Sequence, residues 1–394
     1  MFRLYGQAYA RVHPLSPDQS EVMRAIVSCR TAALGGHVER CDLCGFERLS
    51  YNSCRNRHCP KCQSMAKAEW LEARQAELLP VGYYHAVFTL PHDLNPWALY
   101  NKKALFDLLF RAVAETLQEF GRDPKHGLGG KIGFIALLHT WDQQLRLHLH
   151  LHCLIPGGAL CDQGARWASA RDNFLFPVKA LSKVFRGKYI AFLKAAFRKG
   201  SLQFPPAPEG ADSAGRWKTL LQSLWKKPWV VYAKKPFAGP ETVLDYLGRY
   251  THRVALSNHR LLDVAEEAVS FTWRDRADGN RRKLLTLPAV EFIRRFLHHV
   301  LPKGFVRCRH YGFLAARAKR HDLACCRRLL GLSPDAPQPP PRSAPERIKN
   351  LTGFDPTLCP CCRKGTLIFL CDLPPLQRDN PGDLSWPPHV WDTS

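Results

Sequence analysis

The segment from Leu147 to His152, in which leucine and histidine alternate, constrains the fold more than any other part of this sequence. Successive side chains of a β-strand point to opposite faces, so the leucines form one face and the histidines the other. A leucine face is ordinary core, whereas imidazoles are expensive to bury without partners. The pattern therefore predicts a strand with one face in the core and a second face available for metal ligands.

His150 and His152 are two residues apart, so both point to the same side and can bind one ion. His139 lies on a preceding segment that also has a strand pattern, and a turn over residues 142–145 would bring it opposite His148 or close to this pair. The register that decides between these positions is not readable from the pattern. Exposed histidines, hydrogen-bonded core histidines and a structural zinc site are the alternatives.

A second group of candidate ligands lies near the N-terminus, where two CxxC pairs are separated by 14 residues. The predicted zinc ligands are Cys41, Cys44, Cys59 and Cys62. Two such pairs can enclose one tetrahedral ion, and a site of four thiolates is structural. Cys54 and His58 lie between the pairs and are alternative ligands, and chance clustering is the remaining alternative.

The charge of the chain indicates a polyanionic partner. Lysine and arginine number 57 against 34 aspartates and glutamates, a formal net charge of +23, which favours nucleic acid over membrane. Basic residues on the cysteine-rich loops are candidate DNA contacts: Arg48, Arg55, Arg57 and Lys61. Fifteen cysteines, without the apolar core of a signal peptide, predict a reducing, cytoplasmic location. We expect no membrane helix, because no run approaches 18 apolar residues.

Two tyrosines, Tyr246 and Tyr250, are four residues apart on a predicted helix and share one face. A packed aromatic stripe is the ordinary explanation of such spacing. Arg249, His252 and Arg253 lie beside them, and basic groups together with a divalent cation make tyrosine a plausible nucleophile.

The C-terminal half is strongly basic, with 15 lysines and arginines against 4 acidic residues from Arg274 to Arg328. Interleaved aromatic residues make this segment suited to single-stranded DNA, and a solvated basic face is the alternative. A proline-rich linker over residues 333–345 follows. Beyond it, Cys359 and Cys362 form half a zinc site, whose other half is Cys325 with Cys326, or Cys371, or nothing.

Several long segments in order resemble one family: "CRNRHCPKCQ", "YYHAVFTLPHDL", "LLHTWDQQLRLHLHLHCLIPGGAL", "YLGRYTHRVALSNHRL" and "EFIRRFLHHVLPKGFVRCRHYGFLA". Together they resemble the rolling-circle transposases of bacterial insertion sequences, the two-tyrosine branch of the HUH endonucleases, over about residues 37–370. The implied fold is α+β, an antiparallel sheet flanked by helices behind a small N-terminal zinc-binding domain. The implied division is 1–75 (zinc-binding), 80–265 (nuclease core), 266–332 (basic helical extension) and 333–394 (linker and cysteine-containing tail).

The resemblance also implies a mechanism. His150 and His152 would hold Mg²⁺ or Mn²⁺, with His139 as third ligand and Gln144 or His148 as its alternatives. Tyr246 or Tyr250 would attack a phosphodiester and form a 5′-phosphotyrosine, with no nucleotide cofactor. Arg249 and Arg253 would contact the DNA.

The partners implied are single-stranded DNA at the element ends and target DNA. In this family a proline commonly separates the first two histidines, whereas this chain has Leu149, which leaves the use of His148 open. A plasmid replication initiator or relaxase with the same chemistry is one alternative. A zinc-dependent DNA-binding protein without catalysis is another.

Overall fold

The computed structural model describes residues 1–125, 127–171, 174–206, 210–237, 242–243, 248, 255–337 and 342–376. The α-helices in these ranges are α1 Phe2–Val12, α2 Pro17–Ser28, α3 Gln63–Gln75, α4 Asn95–Tyr100, α5 Lys102–Arg122, α6 Val178–Arg198, α7 Ser213–Lys226, α8 Ala289–His298, α9 Ala316–Leu329 and α10 Ala344–Thr352. The strands are β1 Gly36–Cys41, β2 Glu47–Tyr51, β3 Tyr83–Thr89, β4 Lys131–Ile132, β5 Phe134–Trp141, β6 Leu147–Pro156, β7 Gly158–Cys161, β8 Arg166–Ser169, β9 Val231–Phe237, β10 Leu261–Ala265, β11 Ala268–Asp275, β12 Arg281–Pro288, β13 Cys308–Tyr311 and β14 Leu367–Leu373.

The central sheet has five antiparallel strands in the order β13-β5-β6-β3-β9, so the leucine–histidine strand β6 lies in the middle. Leu149 and Leu151 on its apolar face are fully buried and join one core with Leu109 of α5 and Phe185 of α6. The predicted α+β class, with helices flanking an antiparallel sheet, is confirmed.

The opposite face of the same sheet carries a second, smaller apolar cluster beside the histidines. Leu137 and Leu154 of this face pack with Tyr83, with Val243 and with Leu323 of α9. One end of this face is thus apolar and covered, while the other end holds imidazoles.

A third core joins α1, α2 and α8 to the sheet β10-β11-β12. The start of α2 follows its sequence signals, because Ser16 and Gln19 form a capping box and Pro17 occupies the first turn. A hairpin between Asp275 and Arg281 joins β11 to β12. Leu145, in the turn between β5 and β6, is buried in this core and fixes the histidine strands to it.

The small N-terminal sheet has the order β14-β1-β2, so its third strand comes from the C-terminal part of the chain. Similarly, β13 lies in the segment assigned to a basic helical extension, yet it pairs with β5 of the central sheet. Both pairings cross the boundaries expected from the sequence. Within the described ranges, no helix is long and apolar enough to span a membrane.

Candidate functional site

The register of the central sheet brings three histidines together. His139 of β5 lies directly opposite His150 of β6, and Leu137 lies opposite His152. The candidate ligand atoms of His139, His150 and His152 all lie within 4.8 Å of one another, and all three side chains are buried. We call this group the histidine cluster. It contains the three residues selected from the sequence as ligands of one ion.

The geometry of the histidine cluster fits a metal ion. The Nε2 atoms of His150 and His152 lie 3.1 Å apart. Two nitrogens bound at about 2.1 Å are separated by about 3.0 Å at adjacent octahedral positions and by about 3.4 Å in a tetrahedron. Three histidines on one side of an ion leave its other positions open for substrate oxygens and water.

Hydrogen bonds orient both β6 imidazoles so that Nε2 faces the cluster. His150 Nδ1 lies 2.8 Å from the carbonyl oxygen of His148, to which it donates. His152 Nδ1 lies 2.9 Å from Nε2 of His85 on the neighbouring strand β3. Partners of this kind fix ring orientation and tautomer in metal sites. His85 was not among the residues selected from the sequence, although it is the one histidine in the otherwise mostly apolar strand segment "YYHAVFTL".

The two alternative third ligands lie outside the histidine cluster. The ring centroid of His148 lies 4.7 Å from that of His150 and 5.5 Å from that of His92. Gln144 is in the β5–β6 turn, where its backbone N–H donates to Asp142. His148 thus contacts His150 through both its ring and its backbone carbonyl, but its ring nitrogens are not grouped with the three candidate ligands.

Burial keeps the imidazoles of His150 and His85 uncharged at neutral pH. It lowers the pKa of His150 to about 3, with a smaller effect from His148, and lowers the pKa of His85 to about 4, helped by Lys234. A neutral imidazole offers a nitrogen lone pair, which is the form a metal ion binds.

The predicted nucleophiles Tyr246 and Tyr250, and the predicted DNA contacts Arg249 and Arg253, lie outside the described residues. Two described residues lie close to them in the chain: Val243 before Tyr246, and Gly248 between Tyr246 and Tyr250. Val243 is fully buried in the apolar cluster on the histidine face of the sheet. A Cβ atom added to Gly248 would lie 3.1 Å from side-chain atoms of Lys67 and Leu71 of α3.

The expectation that four N-terminal cysteines form one zinc site is wrong in its grouping, because the structure divides them between two clusters. The N-terminal cluster consists of Cys29, Cys54, Cys59 and Cys62. The shared cluster consists of Cys41, Cys44, Cys359 and Cys362. In each cluster the four sulfur atoms lie within 4.8 Å of one another.

The division has a physical cause. Cys41 ends β1, and the pairing of β1 with β14 places the 359–362 turn beside it. The second CxxC pair lies at the start of α3, where Cys62 Sγ is 3.1 Å from Cys29 Sγ and 3.4 Å from Cys54 Sγ. Cys29 is not part of a CxxC pair, so no local pattern marks it as a ligand. Hydrogen bonds from Cys54 and Cys59 lower the pKa of the Cys29 thiol, which favours a thiolate there.

The other candidate ligands have different positions. His58 is not in the N-terminal cluster; its Nε2 accepts a hydrogen bond from the backbone N–H of Leu301. Cys325 and Cys326 of α9 are buried in the apolar cluster on the histidine face of the sheet, and Cys371 is exposed on β14. None of the three is grouped with Cys359 and Cys362, whose cluster is completed by Cys41 and Cys44, a pair that was not among the alternatives from the sequence.

The basic residues predicted to contact DNA differ in their surroundings. Arg55 is exposed and Lys61 is half-buried. Arg57 donates a hydrogen bond to the backbone carbonyl of Phe305 at 2.5 Å, and Arg48 pairs with Glu39 at 2.7 Å. Arg57 and Arg48 therefore hold parts of the chain together, and Arg55 is the best placed of the four for a DNA backbone.

Two family models match this chain, one in its N-terminal region and one in its central region. The model for a "Transposase zinc-binding domain" matches residues 1–90, and the model for a "Putative transposase" matches residues 133–322. The chain is similar to "Putative transposase y4qJ" of Sinorhizobium fredii (strain NBRC 101917 / NGR234), with 49% identity over 397 residues, 100% of this chain and 98% of that protein. The chain belongs to this transposase family. It is also similar to "Transposase for insertion sequence element IS801" of Pseudomonas savastanoi pv. phaseolicola, with 28% identity over 346 residues, 87% of this chain and 81% of that protein.

The residues matched by the two family models can be compared with the positions of the histidine cluster and the two cysteine clusters. The region matched by the transposase model contains the whole histidine cluster. The zinc-binding match contains the whole N-terminal cluster but only Cys41 and Cys44 of the shared cluster. The resemblance found in the sequence is thus confirmed at the level of the family, and zinc binding by the N-terminal domain is supported.

Proposed function

We propose that this transposase nicks and rejoins single-stranded DNA at the ends of its element by rolling-circle chemistry, with a divalent metal ion at the histidine cluster and Tyr246 or Tyr250 as nucleophile. The observation that carries the proposal is the convergence of His139, His150 and His152 on one face of the central sheet. The 3.1 Å separation of the Nε2 atoms of His150 and His152 supports binding of both nitrogens to one ion.

When bound, Mg²⁺ or Mn²⁺ would polarise a non-bridging oxygen of the scissile phosphate. The three histidines would hold the ion on one side, and His85 and the His148 carbonyl would keep the two β6 imidazoles in position. An all-histidine ligand set favours Mn²⁺, because Mg²⁺ prefers oxygen ligands.

The tyrosine chemistry conserves the energy of the phosphodiester. The phenolic oxygen of one tyrosine attacks phosphorus, its proton passes to solvent, and the bond from phosphorus to the 3′ oxygen breaks. The leaving 3′ oxygen takes up a proton, which gives a free 3′-hydroxyl and a 5′-phosphotyrosine. Attack by another 3′-hydroxyl reverses these steps and rejoins DNA, while the second tyrosine can accept a second strand.

The position of Val243 supports this role for the tyrosine segment. Val243 packs on the sheet face that carries the histidines, in the same cluster as Leu137, which lies opposite His152. Tyr246 is three residues further along the chain, and three residues span at most about 11 Å. This limit on the distance from Val243 supports Tyr246 as a candidate nucleophile.

The experiment uses full-length protein and single-stranded oligonucleotides that span the element ends, with Mn²⁺, analysed on denaturing gels. We expect a covalent protein–DNA adduct with wild type and with each single Tyr→Phe variant, and none with the Tyr246→Phe, Tyr250→Phe double variant. An adduct that survives in the double variant would identify a different nucleophile. No adduct with any end sequence would contradict strand transfer and favour a non-catalytic zinc-dependent DNA-binding protein.

A replication initiator or relaxase would form the same adduct. The relatives named as transposases favour transposition. Excision and insertion of a marked element in cells, lost in the double tyrosine variant, distinguishes transposition from plasmid replication.

A further inference from the structure

We propose that the shared cluster is a second zinc site, formed jointly by the N-terminal domain and the C-terminal segment, so that each chain binds two zinc ions. The ligands are the thiolates of Cys41, Cys44, Cys359 and Cys362. This inference does not depend on the chemistry proposed at the histidine cluster.

The sulfur atoms of the shared cluster have the separations of a zinc site. Cys41 Sγ lies 3.7 Å from Cys362 Sγ, and Cys44 Sγ lies 3.7 Å from Cys359 Sγ. Four sulfurs bound at about 2.3 Å to a tetrahedral ion are about 3.8 Å apart. A disulfide requires about 2.05 Å, so both pairs are spaced as ligands of an ion rather than as bonded sulfurs.

The two CxxC turns also share one backbone geometry. After the second cysteine of each turn, the chain takes a left-handed conformation, at Gly45 with φ 72° and at Arg363 with φ 55°. The N–H of Gly45 donates to the carbonyl of Cys41, and that of Arg363 donates to the carbonyl of Cys359. Two turns of the same shape, facing each other, provide two thiolates each to a tetrahedron.

Backbone N–H groups point at the sulfurs, as expected where thiolate charge must be stabilised. Leu43 N–H lies 3.4 Å from Cys41 Sγ, and Gly365 N–H lies 3.3 Å from Cys362 Sγ. The backbone also passes close to the sulfurs, since a Cβ atom at Gly365 would lie 2.4 Å from Cys41 Sγ.

Contacts outside the cysteines also hold the segment around Cys41 and Cys44 against the segment around Cys359 and Cys362. The strands β1 and β14 pair from Gly36 opposite Leu373 to Cys41 opposite Leu367. Thr366 N–H donates to the Asp42 carboxylate, and Asp42 N–H donates to the Thr366 carbonyl. The cysteines are therefore not brought together by chance contact of loose ends.

The site would give the C-terminal segment a structural role. Ion pairs connect this segment to α3: Arg347 of α10 pairs with Glu69 at 3.2 Å, and Arg342, just before α10, pairs with Glu72 at 2.9 Å. Such exposed pairs contribute little by themselves. Zinc at the shared cluster would supply the stronger link. It would join the N-terminal domain to the C-terminal segment through ligands as far apart in the chain as Cys41 and Cys362.

The test measures zinc per chain by elemental analysis of the purified full-length protein. We expect two ions in wild type and one in the Cys359→Ser, Cys362→Ser variant. The matched control is Cys361→Ser, Cys371→Ser, which changes two exposed cysteines of the same segment outside both clusters and should retain two ions. One ion in wild type, or two in the Cys359→Ser, Cys362→Ser variant, would overturn the proposal.

A second measurement applies even if that variant does not fold. Cobalt-substituted wild-type protein should show the thiolate-to-metal charge-transfer absorption of two four-cysteine sites, about twice the intensity per chain of one site. Tryptic digestion of wild type should release the segment beyond residue 342 only after zinc is chelated. Release at the same rate with and without chelator would also overturn the proposal.

Discussion

Nε2 of His85 lies 2.9 Å from Nδ1 of His152, so a residue of β3 orients an imidazole of β6 toward the histidine cluster. We expect His85→Ala to lower Mn²⁺ affinity about 10–100-fold, the usual effect of removing a partner of a metal-ligating histidine. Titration of Mn²⁺ followed by electron paramagnetic resonance measures this. His92→Ala is the control, because the His92 ring contacts His148 but lies outside the cluster. Equal affinities in the two variants would rule out the orienting role.

The two faces of β6 should respond differently to truncation. Leu151 is fully buried in the main core, so Leu151→Ala should lower the free energy of unfolding by about 2–5 kcal/mol. His150→Ala should lower it less in buffer without Mn²⁺, since a buried imidazole stabilises the fold less than a leucine, yet it should abolish adduct formation. Urea unfolding and the adduct gel measure the two effects, and a larger loss of stability in His150→Ala would contradict this division of roles.

Stability should fall as the pH falls through the range in which His299 titrates in the unfolded chain. Burial lowers its pKa from 6.5 to about 3 in the folded protein, where Thr140 and the Leu145 carbonyl are its hydrogen-bond partners. The unfolded chain therefore binds a proton below about pH 6.5 that the folded chain excludes, and one such group contributes a slope of up to about 1.4 kcal/mol per pH unit.

The measurement is urea unfolding between pH 7.5 and 5.5. His299→Gln should have a shallower pH dependence than wild type, although it is less stable at pH 7.5. His321→Gln serves as the control, because the His321 side chain is 76% exposed. An unchanged slope in His299→Gln would show that His299 does not contribute to acid sensitivity.

Arg55 and Arg57 should separate DNA binding from stability. Arg55 is exposed, whereas Arg57 is bound to the Phe305 carbonyl. We expect Arg55→Ala to weaken single-stranded DNA binding and to reduce the slope of log affinity against log salt by about 0.7, the effect of one lost phosphate contact. Arg57→Ala should instead lower the unfolding midpoint. Fluorescence anisotropy at several salt concentrations and thermal unfolding measure both, and the opposite pattern would reassign the two arginines.

Local features of the sequence predicted the local structure well. The alternation at Leu147 to His152 indicated a strand with two unlike faces, one in the core and one that carries the histidines. The three histidines chosen as ligands lie together, although that they bind metal stays a prediction. The roles of Tyr246 and Tyr250 also stay predictions, because both lie outside the described residues.

Pairings between distant segments were not predictable in the same way. The sequence left open whether His139 lies opposite His148 or near the other pair, and the register of β5 against β6 places it opposite His150. Two CxxC pairs 14 residues apart looked like one site. In the structure, Cys59 and Cys62 are grouped with Cys29 and Cys54, whereas Cys41 and Cys44 are grouped with Cys359 and Cys362. His85 was not selected because its role depends on contact with His152, which only the pairing of β3 with β6 creates.

The sequence by itself determined which segments form strands, helices and CxxC turns, and it determined the family, because residue order controls backbone conformation and side-chain alternation over a few residues. Only the tertiary structure decided which turn faces which. A CxxC turn supplies two of the four ligands of a tetrahedral ion, and the other two can come from any segment that folds against it. The pairing of β14 with β1 places Cys362 beside Cys41, 321 positions earlier in the chain, because strand pairing and core packing, rather than sequence distance, fix which segments meet.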